Sequence, residues 1–284
     1  MPAEVSAKEA VTPDAPACAE SARPLTRREM DSIAILTLDH QASRNSLSEA
    51  MMTELQSRLD EIAREKTVRA VVLAAEGPVF CAGHDLKELT ARRADDDKGR
   101  RYFEDIFTRC ARLMQSLVRL PRPVIAAVDG VATAAGCQLV ASCDLAVASR
   151  SARFATPGVN IGLFCSTPMV ALSRSVARKH AMEMLLTGEL INAEAAARVG
   201  LVNRVTEDGE TALEAALELA RRIARKPPST VRVGKEAFYR QAEMNLDEAY
   251  AYTSRVIVEN MLSADAREGI EAFIDKREPR WSGD

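Results

Sequence analysis

The chain has 284 residues, 47% of them apolar, which is enough for one sizeable core and a smaller accessory part. Its formal net charge of -3 and a pI near 5.8 exclude the basic surface that nucleic-acid binding requires. No apolar run reaches the roughly 20 residues of a membrane span, and residues 1–25 lack the continuous apolar stretch of a secretory signal. We therefore expect a cytoplasmic protein with neither nucleic acid nor membrane as a partner.

The spacing of cysteine and histidine argues against a disulfide framework or a metal site. The cysteines show no C-x-x-C pair and lie mostly in apolar stretches, so we expect reduced thiols. They are Cys18, Cys81, Cys110, Cys137, Cys143 and Cys165. The three histidines, His40, His84 and His180, are far apart and form no metal-ligand pattern. No bound metal is expected.

The first half of the chain predicts an α/β fold. Residues 1–25 are rich in Ala, Pro and charge without periodicity, which predicts a disordered extension, with structure beginning near Met30. Beyond it, short apolar runs typical of buried strands alternate with helical spacing. The strands are expected at residues 33–38, 70–75, 124–128 and 145–148, and the helices at residues 49–65 and 136–142.

The second half is predicted to be helical, with residues 201–205 as its only strand candidate. Its helices are recognised by their end signals. Asn192 marks the start of one helix and Gly200 its end. The next helix is expected at residues 210–226, before Pro227, and Ser263 starts a last helix that reaches Asp275. We therefore predict a main unit at residues 26–226 and an all-helical lobe at residues 227–284.

Two turns of small residues are the candidate sites for chemistry. No phosphate-binding loop, dinucleotide fingerprint or G-x-S-x-G elbow is present. Instead, residues 80–87 (FCAGHDLK) and 129–138 (DGVATAAGCQ) each lie between a predicted strand and helix. Backbone N–H groups at a helix start have no internal partner, so two such turns could hold an oxyanion. The alternative is that both turns only allow tight packing of strand against helix.

The first turn closely resembles the F-[CAS]-[AS]-G-x-D-[LI] signature of the enoyl-CoA hydratase/isomerase (crotonase) superfamily. Residues 130–138 resemble its G-x-[AC]-x-G-G-G-x-E loop, and the match extends from about residue 33 to 280. Within the superfamily, residues 154–167 together with Gln138 are similar to the enoyl-CoA hydratase domain-containing protein 3 branch. The resemblance implies an α/β spiral of ββα units with a C-terminal helical trimerisation lobe, assembled as a homotrimer or a dimer of trimers.

The same resemblance implies which groups bind an acyl-CoA or enoyl-CoA substrate. The backbone N–H groups of His84 and Ala135 would hold the thioester oxygen as it becomes an enolate. No cofactor is expected to be bound permanently, because coenzyme A would be part of the substrate. Its contacts would be Arg44, Ser46, Ala82, Asp85, Leu86, Lys87, Phe273 and Lys276. For Phe273 and Lys276, an ordinary helix with one core aromatic and one solvated charge is the alternative.

The chain departs from a hydratase at the two positions where the family has catalytic glutamates. Gln138 and Gly158 occupy them, and neither residue can take up or release a proton near neutral pH. General acid–base action is typically worth 10²- to 10⁴-fold in rate, so ordinary hydration or isomerisation is in doubt. Cys165 and His84 are the nearest candidates for moving a proton, Cys165 as a thiolate of lowered pKa at a helix start. For Cys165, the alternative is a small buried thiol.

Three interpretations therefore remain open. The chain could be an enoyl-CoA hydratase-like enzyme with weak hydration, or one that catalyses hydrolysis, decarboxylation or isomerisation. It could instead be a non-catalytic acyl-CoA-binding protein. A third possibility is an assembly protein in which the trimeric shell matters more than the pocket. The space at Gly158 is also undecided, because it could admit an extra water or a bulkier acyl chain.

Overall fold

The structure is a computed structural model that describes residues 23–283. Two sheets and a set of helices make up this part of the chain. The strands are β1 (Leu25–Met30), β2 (Ile33–Leu38), β3 (Ala70–Ala75), β4 (Val79–Cys81), β5 (Val124–Val128), β6 (Val131–Thr133), β7 (Leu145–Ala148), β8 (Arg153–Ala155), β9 (Ile191–Asn192) and β10 (Arg204–Val205). The helices are α1 (Glu49–Arg64), α2 (Leu86–Ala91), α3 (Arg100–Arg119), α4 (Ala135–Ser142), α5 (Pro168–Ser175), α6 (Arg178–Thr187), α7 (Ala193–Val199), α8 (Ala212–Ala224), α9 (Pro228–Gln241), α10 (Leu246–Met261) and α11 (Ala264–Ile274).

The strands alternate between a large and a small sheet as the chain advances. The large sheet has the order β1-β2-β3-β5-β7-β10, and all its pairs are parallel except β1 with β2. The small sheet has the order β4-β6-β8-β9, in which only β9 runs antiparallel to its neighbour. Each of β3, β5 and β7 is thus followed by a strand of the small sheet and then by helix. This repeat is the predicted spiral of ββα units.

The central strands of the large sheet, β2, β3, β5 and β7, are buried on both faces, which explains their continuous apolar runs. Along β2, Ile33 and Ile35 face a core layer that includes the apolar side of α8, whereas Ala34 and Leu36 face the main core. That main core also contains the buried faces of α1, α3 and α4. The predicted strands at residues 33–38, 70–75, 124–128 and 145–148 are confirmed at their predicted bounds.

Helix ends follow their predicted capping signals. The side chain of Asn192 accepts a hydrogen bond from the Ala195 N–H, and Gly200 ends α7 with a left-handed φ of 89°. Ser263 caps α11 by accepting from the Ala266 N–H, and the cap at the other end is Asp275. The helix predicted at residues 210–226 is shorter, because the Thr211 side chain forms a capping box with Glu214.

The strand predictions miss the start of the fold and four short strands. Structure begins at Leu25 rather than near Met30, because β1 pairs antiparallel with β2 along its whole length. Most of β1 is exposed, so it lacks the apolar signal of a strand. The short strands β4, β6, β8 and β9 were not expected, since two or three residues leave no periodicity to detect. The predicted disorder of residues 1–22 lies outside the described residues.

The C-terminal helices bury little of their surface within one chain. No residue of α10 is buried, and only Ala237 of α9 is. Large apolar side chains at least half exposed on this lobe are Phe238, Leu246, Tyr250, Ile257, Val258, Met261, Leu262, Phe273 and Ile274. Within residues 23–283, no helix is long and apolar enough to cross a membrane.

Candidate active site

The first turn connects β4 to α2 and is held by the loop that follows β2. The Leu47 N–H donates to the Gly83 carbonyl at 2.7 Å, and the Ala82 N–H donates to the Arg44 carbonyl at 3.1 Å. Asp85 caps α2, accepting from the Lys87 N–H at 2.8 Å, and it also accepts from the Ser46 hydroxyl at 3.3 Å. The structure therefore brings together Arg44, Ser46, Ala82 and Asp85, four of the predicted coenzyme A contacts.

The second turn connects β6 to α4 and contains a strained alanine. Ala134 has φ 51° and ψ -118°, a region normally occupied by glycine. Its N–H donates to the Ala155 carbonyl of β8, and its carbonyl accepts from the Gln138 N–H, both at 3.0 Å. Helix α4 begins at the next residue, Ala135, and is almost wholly buried. The surrounding hydrogen bonds thus hold this residue in its unfavourable conformation.

The two turns touch each other, and glycines make the contact possible. A Cβ on Gly83 would lie 2.9 Å from the Ala134 Cβ and 3.2 Å from the Ala135 nitrogen. A Cβ on Gly136 would lie 2.1 Å from the Cys81 carbonyl oxygen, closer than any real contact. The Thr133 hydroxyl adds a hydrogen bond to the Ala82 carbonyl at 3.2 Å. Any side chain at Gly83 or Gly136 would therefore push the turns apart.

The two predicted oxyanion donors are not used by the part of the chain that the structure describes. Among the described residues, the structure shows no acceptor for the N–H of His84 or for that of Ala135, the first residue of α4. A helix start leaves such donors free and adds a partial positive charge. Two unpaired N–H groups on touching turns are the arrangement that stabilises a developing oxyanion.

The side chain of His84 packs edge-on against Phe107 of α3, with ring centroids 5.1 Å apart. Both ring nitrogens are buried and have no hydrogen-bond partner among the described residues. Burial lowers the pKa of His84, so the imidazole is neutral at pH 7. The backbone of Leu47 opposes this shift only in part, and a neutral imidazole can accept or donate one proton.

Two further buried polar side chains lie next to the second turn. Gln138 is 4% exposed and its Oε1 has no partner in the described part of the chain. Thr156 is 1% exposed, and its hydroxyl likewise lacks a partner within residues 23–283. It directly follows Ala155, whose carbonyl accepts from Ala134. Sequence reasoning missed Thr156, because a threonine before a proline in a loop carries no distinguishing pattern.

The space beside Gly158 is filled. A Cβ at this position would lie 2.7 Å from the Leu163 carbonyl oxygen and 2.9 Å from the Cys165 Sγ. Cys165 is 7% exposed. It lies in the loop before α5, and burial raises the pKa of its thiol. A side chain at residue 158 therefore has no room unless Leu163 or Cys165 moves, and the lowered pKa expected for Cys165 is wrong.

The comparisons with known proteins agree with this geometry. The enoyl-CoA hydratase/isomerase family model matches residues 28–284. Human enoyl-CoA hydratase domain-containing protein 3 is 47% identical over 260 residues, which cover 92% of this chain and 84% of that protein. The chain belongs to the enoyl-CoA hydratase/isomerase family. The resemblance to the crotonase superfamily and to its domain-containing protein 3 branch is thereby confirmed.

Solved structures of family members share the fold over nearly the whole chain. An enoyl-CoA hydratase from Mycobacterium smegmatis is 49% identical with a TM-score of 0.86, covering 91% of this chain and 98% of that one. The crystal structure of the human protein is 47% identical, also with a TM-score of 0.86, over 91% of this chain and 100% of that one. Relatives from human, rat and mouse are named as mitochondrial proteins. Those names point to mitochondria, and the predicted cytoplasmic location is wrong.

Five of the residues predicted from the family face solvent, and Arg44 is one of them. Phe273 is 85% exposed, and Lys276 follows α11 with a positive φ of 55°. Leu86 and Lys87 are exposed on the first turn of α2. Within one chain, Phe273 and Lys276 contact solvent rather than the two turns.

The acids nearest in sequence to the second turn are structural in this family member. Asp144 accepts from the Lys235 ammonium at 2.6 Å, from the Tyr239 hydroxyl at 3.0 Å and from the Val124 N–H at 2.7 Å. Asp129 accepts from the Ala212 N–H at the start of α8. Asp144 joins α9 to the sheet, and its hydrogen bonds leave it engaged rather than free for chemistry.

Proposed function

We propose that this chain binds an acyl-CoA or enoyl-CoA thioester and stabilises its enolate with the N–H groups of His84 and Ala135. The observation that carries the proposal is that two unpaired N–H groups lie on turns in direct contact. Coenzyme A would be part of the substrate, with no resident cofactor. Removing one donor of this kind typically costs roughly 2.7–4 kcal/mol of barrier lowering.

The proposed coenzyme A contacts are arranged around the first turn. Arg44 and Ser46 are joined to Ala82 and Asp85 by hydrogen bonds. Lys87 is exposed at the edge of the turn, where its ammonium can pair with a phosphate. Phe273 and Lys276 complete the proposed set only in an assembly, since both face solvent in one chain.

For proton transfer we favour His84 over Cys165. Gln138 cannot titrate and Gly158 has no side chain, so neither takes the place of a glutamate. Burial holds the Cys165 thiol in its protonated form, whereas it holds the His84 imidazole neutral. A neutral imidazole can serve as acid or base near pH 7. The proposed activity is therefore enoyl-CoA hydratase-like, with His84 in place of the two glutamates.

A non-catalytic acyl-CoA-binding protein is the second candidate. The observation that favours it is the position of Gly158, where the thiol of Cys165 and the Leu163 carbonyl occupy the place at which the side chain of a catalytic glutamate would begin. Such a protein would keep the two N–H donors and bind the thioester without turnover.

One titration separates the two candidates. The purified protein is titrated with a medium-chain enoyl-CoA by calorimetry while loss of the enoyl thioester absorbance is followed. Turnover that falls 10²- to 10⁴-fold in His84→Gln but persists in Cys165→Ala supports the enzyme, because His84→Gln keeps the backbone N–H. Binding without turnover supports the second candidate. Absence of binding contradicts both.

A matched pair of glycine variants tests the oxyanion site itself. Gly83 and Gly209 both have positive φ, 92° and 84°, so alanine is strained at either position. A Cβ on Gly83 meets Ala134 and the Ala135 nitrogen, whereas nothing lies within 4 Å of a Cβ on Gly209. We expect Gly83→Ala to lose enoyl-CoA binding and Gly209→Ala to retain it. Equal binding by both variants would contradict the proposed donors.

We also propose a homotrimer or a dimer of trimers. Support comes from the apolar side chains that α10 and α11 expose, including Leu246, Ile257 and Phe273. An exposed apolar surface of this kind is typical of an association interface. Sedimentation velocity gives the mass directly, and a monomer at micromolar concentration would contradict the proposal.

A further inference from the structure

Two arginines lie side by side at the amino-terminal edge of the large sheet. Strands β3 and β5 are parallel, with Val71 opposite Val124, and the Val71 N–H donates to the Pro123 carbonyl at 2.8 Å. Arg69 and Arg122 each lie two residues before this pair. The same register therefore places Arg69 opposite Arg122, and both are half-buried.

A third arginine reaches the same edge from the C-terminal lobe. Lys235 of α9 donates from its ammonium to the Arg122 carbonyl at 3.0 Å. Arg232 lies three residues before Lys235, so it is on the same face of the helix, one turn earlier. Its side chain is exposed. Three arginines from two strand starts and one helix are therefore placed at the same edge of the sheet.

No ion pair in the described part of the chain balances these three charges. Within residues 23–283, none of the three arginines forms an ion pair. Arg122 donates to the carbonyls of Pro121 and Glu65, while its Nε is buried without a partner. Burial and then the positive charges of Arg232 and Arg69 lower the pKa of Arg122.

Of the acids near these arginines, Glu65 and Asp144 are already engaged, and Glu236 lies exposed on α9, one turn after Arg232. The Glu65 carboxylate accepts from the Arg27 guanidinium, and Asp144 accepts from Lys235 and Tyr239. Neither carboxylate is free to neutralise the three arginines. A bound anion would reduce the repulsion among the three arginines.

We propose that Arg69, Arg122 and Arg232 form a binding site for a small phosphate-bearing ligand. Guanidinium groups are planar and bind phosphate oxygens in pairs, which favours phosphate over a spherical anion. The site lies at the amino-terminal ends of β3 and β5, whereas the two turns follow β4 and β6 of the small sheet. It is therefore separate from the proposed thioester site.

Thermal unfolding in the presence of inorganic phosphate tests the site. Ionic strength is held constant with chloride, and the wild type is compared with Arg69→Gln and Arg232→Gln. The matched control is Arg93→Gln, which removes the same charge from an exposed arginine elsewhere. We expect phosphate at several times its Kd to raise the wild-type and control Tm by about 2–4 °C, with no rise in the other two variants.

Two results would overturn the proposal. An equal rise in all four proteins would show the general stabilisation that phosphate gives by exclusion from protein surfaces. No rise in the wild type beyond that in chloride would show that the site does not bind phosphate. Titrations with acyl-CoA show whether the phosphate that these arginines bind belongs to coenzyme A. If the site is separate, we expect Arg69→Gln to bind acyl-CoA with unchanged affinity. A tenfold loss there would instead assign these arginines to the coenzyme A phosphates.

Discussion

Adding one methyl group at Gly158 tests whether Cys165 fills the space of the lost glutamate. Gly158 is not among the glycines with positive φ, so an alanine there adds bulk without backbone strain. Its Cβ would lie 2.7 Å from the Leu163 carbonyl oxygen, 2.9 Å from the Cys165 Sγ and 3.3 Å from the Cys165 nitrogen. One of these three atoms belongs to a side chain, and the other two are backbone.

The magnitudes follow from those contacts. Overpacking of this kind costs about 1–3 kcal/mol, and deleting the Cys165 sulfur alone costs about 1 kcal/mol of lost burial. In the double variant Gly158→Ala/Cys165→Ala, the sulfur contact is gone while the Leu163 contact remains. We therefore expect the double variant to be more stable than the sum of the single effects by about 1 kcal/mol.

Urea unfolding of the wild type, both single variants and the double variant gives this coupling energy. Cys110→Ala provides the matched control, because Cys110 is an equally buried thiol on α3. Combined with Gly158→Ala, it is expected to be additive within about 0.5 kcal/mol. Additivity for Cys165 as well would refute the conclusion that its thiol occupies this space.

Three further predictions concern strain, the buried ion pair and pH. Ala134→Gly is expected to stabilise the protein by about 1 kcal/mol in urea unfolding, since relief of about 1–3 kcal/mol of strain exceeds the entropic cost of glycine. A lower free energy of unfolding in this variant would contradict the strain at Ala134. Lys235→Met is expected to cost about 3–5 kcal/mol by the same assay, because it leaves the Asp144 carboxylate buried without its cation; a near-neutral effect would mean that water reaches Asp144. Because burial lowers the folded-state pKa of His84, its neutral form contributes stability above about pH 6.5 that is lost as pH falls through the folded pKa. From pH 7 to 5.5 the unfolding free energy should fall more in the wild type than in His84→Gln, and equal falls would contradict the burial of the ring.

Much of the fold was predictable because its strongest signals are local. Strands β2, β3, β5 and β7 are buried on both faces, so each appears in the sequence as an uninterrupted apolar run. Asn192 and Ser263 mark helix starts through side-chain hydrogen bonds to the next turn. Strand β1 escaped prediction because its order comes from pairing with β2, a contact that no local pattern encodes.

The candidate site was also predictable only in part. The two turns were identified from their small residues, because Gly83 and Gly136 are required by close contacts between turns. The protonation states of His84 and Cys165 were not predictable, since each depends on burial by residues distant in the chain. The lowered pKa anticipated for Cys165 failed because its loop packs against Gly158 rather than opening to water.

The buried ammonium of Lys235 has a consequence for dissecting the chain into fragments. It donates to the carbonyls of Leu117 and Arg122 and to the Asp144 carboxylate, which lie on three separate segments of the spiral. A shortened chain ending before α9 would expose these acceptors and leave Asp144 without its cation. The boundary near residue 227 therefore separates two types of secondary structure but not two folding units, and binding assays on this protein require its C-terminal helices.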